Sequence, residues 1–349
     1  MSGRTESGGM GSVVLRSRVS LWAGAFTGFY RPTVEEARAL DAVSRFLYSA
    51  RCIILVISAQ AALIAGLLAA TDRQFSWLAF ALVLVGLVAA HMISNLSNDY
   101  FDFRRGNDTP ESPRRRYTLH PMASGVLEPH IFAAGLALLA AAALAIAAFF
   151  VVERGWTAVA FAAAGTALLF MYDAAPVPLK SIGLGELAVF LVWGPLMIGG
   201  GYAMITGHVA AAPLLASIPY GLGVMSILVG KHTDQMEFDA RRNIHTLPVL
   251  VGESAARAIN IAIVASMYVV AFALIAFGWL SPFAGAIAIA LPRAIRTLAL
   301  VSRPRPAQPP EGYVGWPLWY HRACLTHNRL FGWLYILGIA AGAIWPSPM

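Results

Sequence analysis

The stretch Trp77-Leu-Ala-Phe-Ala-Leu-Val-Leu-Val-Gly-Leu-Val-Ala-Ala-His-Met-Ile-Ser-Asn-Leu-Ser-Asn-Asp-Tyr-Phe-Asp-Phe-Arg-Arg-Gly-Asn-Asp108 joins an apolar run long enough to cross a bilayer to a cluster of carboxylates and guanidinium groups. Lys231-His-Thr-Asp-Gln-Met-Glu-Phe-Asp239 repeats the arrangement after another apolar run. Hydrocarbon does not solvate carboxylates, so acidic clusters beside a membrane call for a reason, and a polyvalent cation with an anionic ligand supplies one.

The rest of the chain agrees with a membrane setting. Of 349 residues, 58% are apolar and 12% are charged, well below the roughly 25% charged residues of a soluble domain. Long apolar runs with short polar connections point to an all-α bundle and away from a barrel of short alternating strands. Nine spans are expected, at about 52–70, 76–97, 131–151, 156–172, 182–203, 211–230, 257–278, 281–300 and 330–346, arranged around a central cavity. Pro292, Arg293 and Arg296 fall inside the eighth, where the arginines either snorkel to its end or face a polar cavity.

Charge sets the expected orientation. With a cytoplasmic N-terminus, 23 of the 25 Lys and Arg lie on the inner side, leaving only Arg73 and Arg154 outside. Both acidic clusters then face the cytoplasm of a cell-membrane protein, and the basic pI of about 9.7 reflects topology and anionic lipid instead of nucleic acid. Residues 1–33 read as a poorly ordered tail without a signal peptide, and 34–349 as one transmembrane domain opening with an interfacial helix over 34–51. Cys52 and Cys324 make neither a disulfide framework nor a metal site. The sequence leaves oligomeric state open.

Asp99, Asp102, Asp108, Asp234 and Asp239 would repel one another without a cation, whereas Mg²⁺ is held by one or two carboxylates with phosphate completing its shell. Arg104, Arg105, Arg114, Arg115, Arg116, Lys231, Arg241 and Arg242 are near enough in sequence to contact phosphate. The expectation is a diphosphate clamp. Alternatively the acids cap helices and the arginines follow the topology rule.

Asn95-Leu-Ser-Asn-Asp-Tyr-Phe-Asp-Phe-Arg-Arg-Gly-Asn-Asp108 with His120-Pro-Met-Ala-Ser-Gly125 resembles the first signature of the UbiA superfamily of intramembrane prenyltransferases. Tyr172-Asp-Ala-Ala-Pro-Val-Pro-Leu-Lys180, Gly183-Leu-Gly-Glu186 and Gly194-Pro-Leu196 resemble the branch that prenylates 1,4-dihydroxy-2-naphthoate in menaquinone synthesis. Asp239 followed by Thr246-Leu-Pro-Val-Leu-Val-Gly252 resembles the second signature, and the likeness covers roughly residues 45–300.

The resemblance implies Mg²⁺ bound by aspartates of both signatures, an isoprenyl diphosphate gripped by the metal, ionisation to an allylic cation, and an aromatic acceptor at a lipid-open groove. Asn98, Asp102 and Asp99 fall on the first motif, and Asp239 falls on the last carboxylate of the second. Catalytic roles are thereby implied for Asp99, Asp102 and Asp239, and metal roles for Asn98, Asp99, Asp102, Asp108, Asp234 and Asp239. Substrate contacts are implied for Asn95, Arg105, Arg114, His120, Tyr172, Lys180, Lys231 and Arg242. Four departures stand out: Gly106 replaces a carboxylate, His120 replaces the Arg usual before Pro in the first loop, Gln235 stands four residues before Asp239 where an acid is usual, and Asn243 and Ile244 replace Gly-Lys. Asp234, one residue early, is expected to serve for Gln235, with Glu237 as the alternative. Glu186 is expected to pair with Lys180 or a loop arginine. The altered second motif keeps acceptor-free terpene cyclisation open beside transfer to an acceptor, and cavity charges alone also suit a multi-span anion transporter.

Overall fold

A computed structural model of the chain describes residues 17–313 and 315–345. Every regular element among them is helical, as hydrocarbon requires when no barrel closes. Eight helices are long and apolar enough to cross a membrane: Cys52–Thr71, Trp77–Arg104, Pro129–Arg154, Trp156–Asp173, Gly185–Thr206, Ala211–Arg241, Glu253–Ala276 and Pro282–Val301. A ninth long helix, Tyr320–Ile344, begins with His321, Arg322, His327, Asn328 and Arg329, and this polar opening keeps it out of the apolar set. The expected nine spans thus correspond to eight apolar helices plus one of mixed character.

Two expected boundaries move, and the move matters. The spans placed at 76–97 and 211–230 continue as unbroken helices to Arg104 and Arg241. At 1.5 Å per residue, helices of 28 and 31 residues are roughly 42 and 46 Å long, well beyond the roughly 30 Å hydrocarbon core. Both acidic clusters therefore begin on helical extensions, where the 3.6-residue period decides which side chains share a face.

The fold has two compact units: the described residues of Met1–Val56 with Ala89–Ala142, and those of Ile57–Val88 with Ala143–Met349. In the first, residues 17–33, expected within the poorly ordered tail, contain the helix Arg18–Thr27; residues 1–16 lie outside the described residues. Tyr48 donates to the Leu21 carbonyl (2.8 Å) and Trp22 to Ser44 Oγ (3.1 Å), tying this helix to the next segment. The interfacial region expected at 34–51 is two short helices, Val34–Arg38 and Ala42–Ser49. Thr33 and Glu36 form a capping box on one and Asp41 caps the other.

In the second unit, small residues set the helix crossings. A Cβ on Gly221 would lie 2.9 Å from Gly194 Cα, so the helices Gly185–Thr206 and Ala211–Arg241 meet backbone to backbone. Pro195 removes an amide donor inside the former, and the chain widens to a π-helical stretch over Val192–Gly199. Buried Tyr220 donates to Gln60 Oε1 (3.0 Å) and the Ile57 carbonyl (2.8 Å), while Gln60 Nε2 donates to the Arg329 carbonyl (3.1 Å). These bonds lock three helices by groups that would otherwise be costly in an apolar interior.

Candidate active site

In the first unit, the end of the Trp77–Arg104 helix and the segment after it are stapled by Asp99. Its carboxylate, 1% exposed, receives Arg114 Nε (2.8 Å) and Nη2 (2.5 Å), with Arg51 Nη2 at 3.5 Å. The other Arg114 donors go to the Thr118 Oγ1 and carbonyl (2.6 and 3.2 Å) and the Leu119 carbonyl (3.1 Å). Burial alone would lower the Arg114 pKa, but the Asp99 charge and hydrogen bonds outweigh it and hold the guanidinium charged, well above its usual range. Such a bidentate buried pair is geometrically rigid.

Asp108 is likewise engaged: Oδ1 accepts from Ser112 (3.1 Å) and Oδ2 meets His120 Nε2 at 2.8 Å. His120 Nδ1 accepts from the amides of Met122 (3.3 Å) and Ala123 (3.1 Å), so the ring proton sits on Nε2 and donates to Asp108. Asn95 Nδ2 donates to the Ala50 carbonyl (3.2 Å), and its own carbonyl receives Arg51 (2.8 Å). Asn98 and Asp102, four residues apart, project about 40° from one another around the helix axis. Both are half-buried, and Asp102 Oδ1 accepts from Asn107 Nδ2 (3.2 Å). Arg105 is exposed, with its guanidinium 5.6 Å from the Phe101 ring centroid.

In the second unit, the continuous Ala211–Arg241 helix separates the acids expected to act together. Five residues at about 100° each put Asp234 and Asp239 roughly 140° apart, whereas Gln235 is about 40° and His232 about 20° from Asp239. The expected substitution of Asp234 for Gln235 would need a distorted helix end, and the helix is unbroken to Arg241. Instead Asp234 accepts from the amides of Tyr320 (3.1 Å) and His321 (2.9 Å), capping the Tyr320–Ile344 helix, which has no side-chain cap of its own. A carboxylate is favourable there because it meets unpaired N–H groups and the positive end of the helix dipole. Arg305 fastens the same point by donating to the Asp234 carbonyl (2.6 Å) and the Pro317 carbonyl (3.2 Å). Glu237 is exposed, 3.7 Å from Arg241.

His232, Gln235 and Asp239 share one stripe of that helix, and His232 meets the start of the Gly185–Thr206 helix. Glu186, expected to pair with Lys180 or an arginine, is joined instead to His232, with Oε1 2.6 Å from Nδ1. Lys180 pairs with buried Asp173 at 2.8 Å. Gly185 permits this packing: a Cβ there would lie 2.9 Å from Lys180 Cα and 3.3 Å from Tyr172 Cε2. His245 donates its amide to the Ser181 carbonyl (3.1 Å), fixing the turn beyond Asp239 against the same segment. Lys231 and Arg242 flank the stripe, Arg242 with its guanidinium 5.6 Å from the Phe238 centroid.

Sequence reasoning missed three partnerships: Asp173 with Lys180, His232 with Glu186, and Asp234 with a helix 86 residues away. The seven-residue spacing of His232 and Asp239 was the one available signal, since it returns to the same helix face. Among the described residues no three His, Cys, Asp or Glu side chains converge as a preformed metal cage. Asn98 and Asp102 place one amide and one carboxylate at one-turn spacing on the Trp77–Arg104 helix.

Residues 59–321 match the UbiA prenyltransferase family, and the chain belongs to that family. Among its relatives is UbiA prenyltransferase domain-containing protein 1 of Xenopus tropicalis, 32% identical over 50% of this chain and 50% of that protein. Another is the 1,4-dihydroxy-2-naphthoate octaprenyltransferase of Bacillus subtilis (strain 168), 24% identical over 63% of this chain and 70% of that enzyme. The chain spans about half the length of the Xenopus and mouse relatives it matches. The fold is similar to the apo structure of a UbiA homologue from Aeropyrum pernix K1, with a TM-score of 0.60 and 17% identity over 83% of this chain and 96% of that one. It is also similar to an Archaeoglobus fulgidus homologue bound to GPP and Mg²⁺, with a TM-score of 0.52 and 15% identity over 85% of this chain and 99% of that one. The chain is a multi-pass membrane member of the UbiA prenyltransferase family.

Proposed function

We propose that the protein transfers a polyprenyl group from an isoprenyl diphosphate to a hydroxylated aromatic acceptor of the dihydroxynaphthoate kind, releasing diphosphate, with Mg²⁺ as cofactor. The observation that supports it most is the one-turn pair Asn98 and Asp102 on a helix projecting past the hydrocarbon, with exposed Arg105 beside it. Asn98 and Asp102 of the first signature are proposed Mg²⁺ ligands, and Asp239 of the second is separately proposed to bind Mg²⁺. The ion would neutralise charge on the departing diphosphate. Arg105, Lys231 and Arg242 bind diphosphate oxygens in this reading, and Tyr172 and Lys180 line the segment shared with the naphthoate branch. Asp99, Arg114, Asp108 and His120 hold the first signature in place, Asp99 being thereby a positioning residue, and Asp234 holds the last helix. The count of basic residues supports a cell-membrane protein with a cytoplasmic N-terminus and both signatures on that side.

The test is purified protein in detergent with Mg²⁺, labelled geranylgeranyl diphosphate and a panel of hydroxylated aromatics. A prenylated aromatic that disappears with EDTA is the expected result. An acceptor-independent hydrocarbon would replace transfer by cyclisation, and anion movement across liposomes without diphosphate release would overturn both.

A further inference from the structure

Glu186 is a carboxylate in the first turn of a membrane-spanning helix, 1% exposed, with one oxygen used and the other not. Oε1 is 2.6 Å from His232 Nδ1, which fixes the carboxyl plane; Oε2 is buried and has no hydrogen-bond partner among the described residues. An unmet buried acceptor is costly, the more so when charged. One turn along the helix from His232, the buried Nε2 of Gln235 is a donor without a partner. The two unmet groups thus belong to the stripe that carries Asp239, beside the turn where Gly185 lets Lys180 and Tyr172 close in.

We infer that Glu186 Oε2 accepts a hydrogen bond from a ring hydroxyl of the second substrate, with His232 as its orienting partner, and that Gln235 donates to an oxygen acceptor of the bound substrates. The site therefore selects hydroxylated aromatic rings over apolar ones. This rests on the transfer reading above and deepens it by naming a specificity determinant. Sites built around a buried polar group discriminate strongly against a ligand that lacks the matching group, because that group is then left unpaired. Gln235 acquires a reason as well: an amide at the place where the family usually has an acid offers a donor.

The experiment compares 1,4-dihydroxy-2-naphthoate with its hydroxyl methyl ethers, on the wild type and on Glu186→Gln and His232→Asn. It reads the acceptor KM, the prenyl diphosphate KM, and acceptor binding by intrinsic fluorescence. Methylating the contacted hydroxyl should weaken wild-type binding at least tenfold. Glu186→Gln should raise the acceptor KM at least tenfold, leave the prenyl diphosphate KM within twofold, and respond little to methylation; His232→Asn should show a smaller effect of the same kind. Equal methylation penalties in wild type and Glu186→Gln would overturn the inference while leaving prenyl transfer intact, and so would full tolerance of every methyl ether by the wild type, which needs no variant. A wild type that prenylates no hydroxylated aromatic would overturn the transfer reading and this inference with it.

Discussion

The two signatures look alike in sequence and are held in opposite ways. The first is stapled locally: Asp99 to Arg114 and Asp108 to His120 close loops of 15 and 12 residues within one unit. The second is held from far away, with His232 bonded to Glu186 across 46 residues and Asp234 to Tyr320 across 86. Each signature also divides its acids between two tasks. Asp102 and Asp239 sit one turn after an amide, Asn98 and Gln235; Asp99 binds the Arg114 guanidinium and Asp234 the amides of a helix start. Part of each acidic cluster at the membrane edge is thus joinery.

Substitution can break that division. Asp102→Ala and Asp239→Ala should each reduce turnover by about 10²–10³-fold, the range for losing one electrostatic stabiliser, with unfolding in detergent followed alongside. Equal destabilisation by both would move them to the structural side. Asp99→Ala should act first on folding, costing about 3–5 kcal/mol because Arg114 remains buried and unpaired. In thermal unfolding, the double replacement Asp99→Leu with Arg114→Met should recover much of that loss. Asp234→Ala should have the smallest and most local effect, about 1 kcal/mol, the typical value of a lost helix cap. Hydrogen exchange should quicken at Tyr320 and His321 while the amides around Asp239 keep their protection. Rapid exchange around Asp239 instead would erase the contrast between the two faces of the helix.

The helical class, the approximate spans and the first signature were legible because each depends on short-range pattern: apolar length, charge bias and close spacing. The ends of the second and sixth spans were not, since a hydropathy drop marks where hydrocarbon stops and not where a helix stops. That difference of about two to three turns accounts for Asp234. As a loop residue it was interchangeable with Gln235; on a continuous helix it faces another way, and the adjacent helix start claims it. Glu186 was recognised as an ionisable group at a span, but its partner was misassigned because Lys180, nearest in sequence, is taken by Asp173.

By itself the sequence determined that this chain lives in a membrane as a helical bundle, and it singled out the acids through which a UbiA-type prenyltransferase would act. Tertiary structure alone decided what Asp99, Asp234 and Glu186 pair with. A carboxylate's role depends on whether its lone pairs are already taken, and the groups that take them here, Arg114, the Tyr320 amide and His232, are brought close by helix phase and packing that no local pattern records.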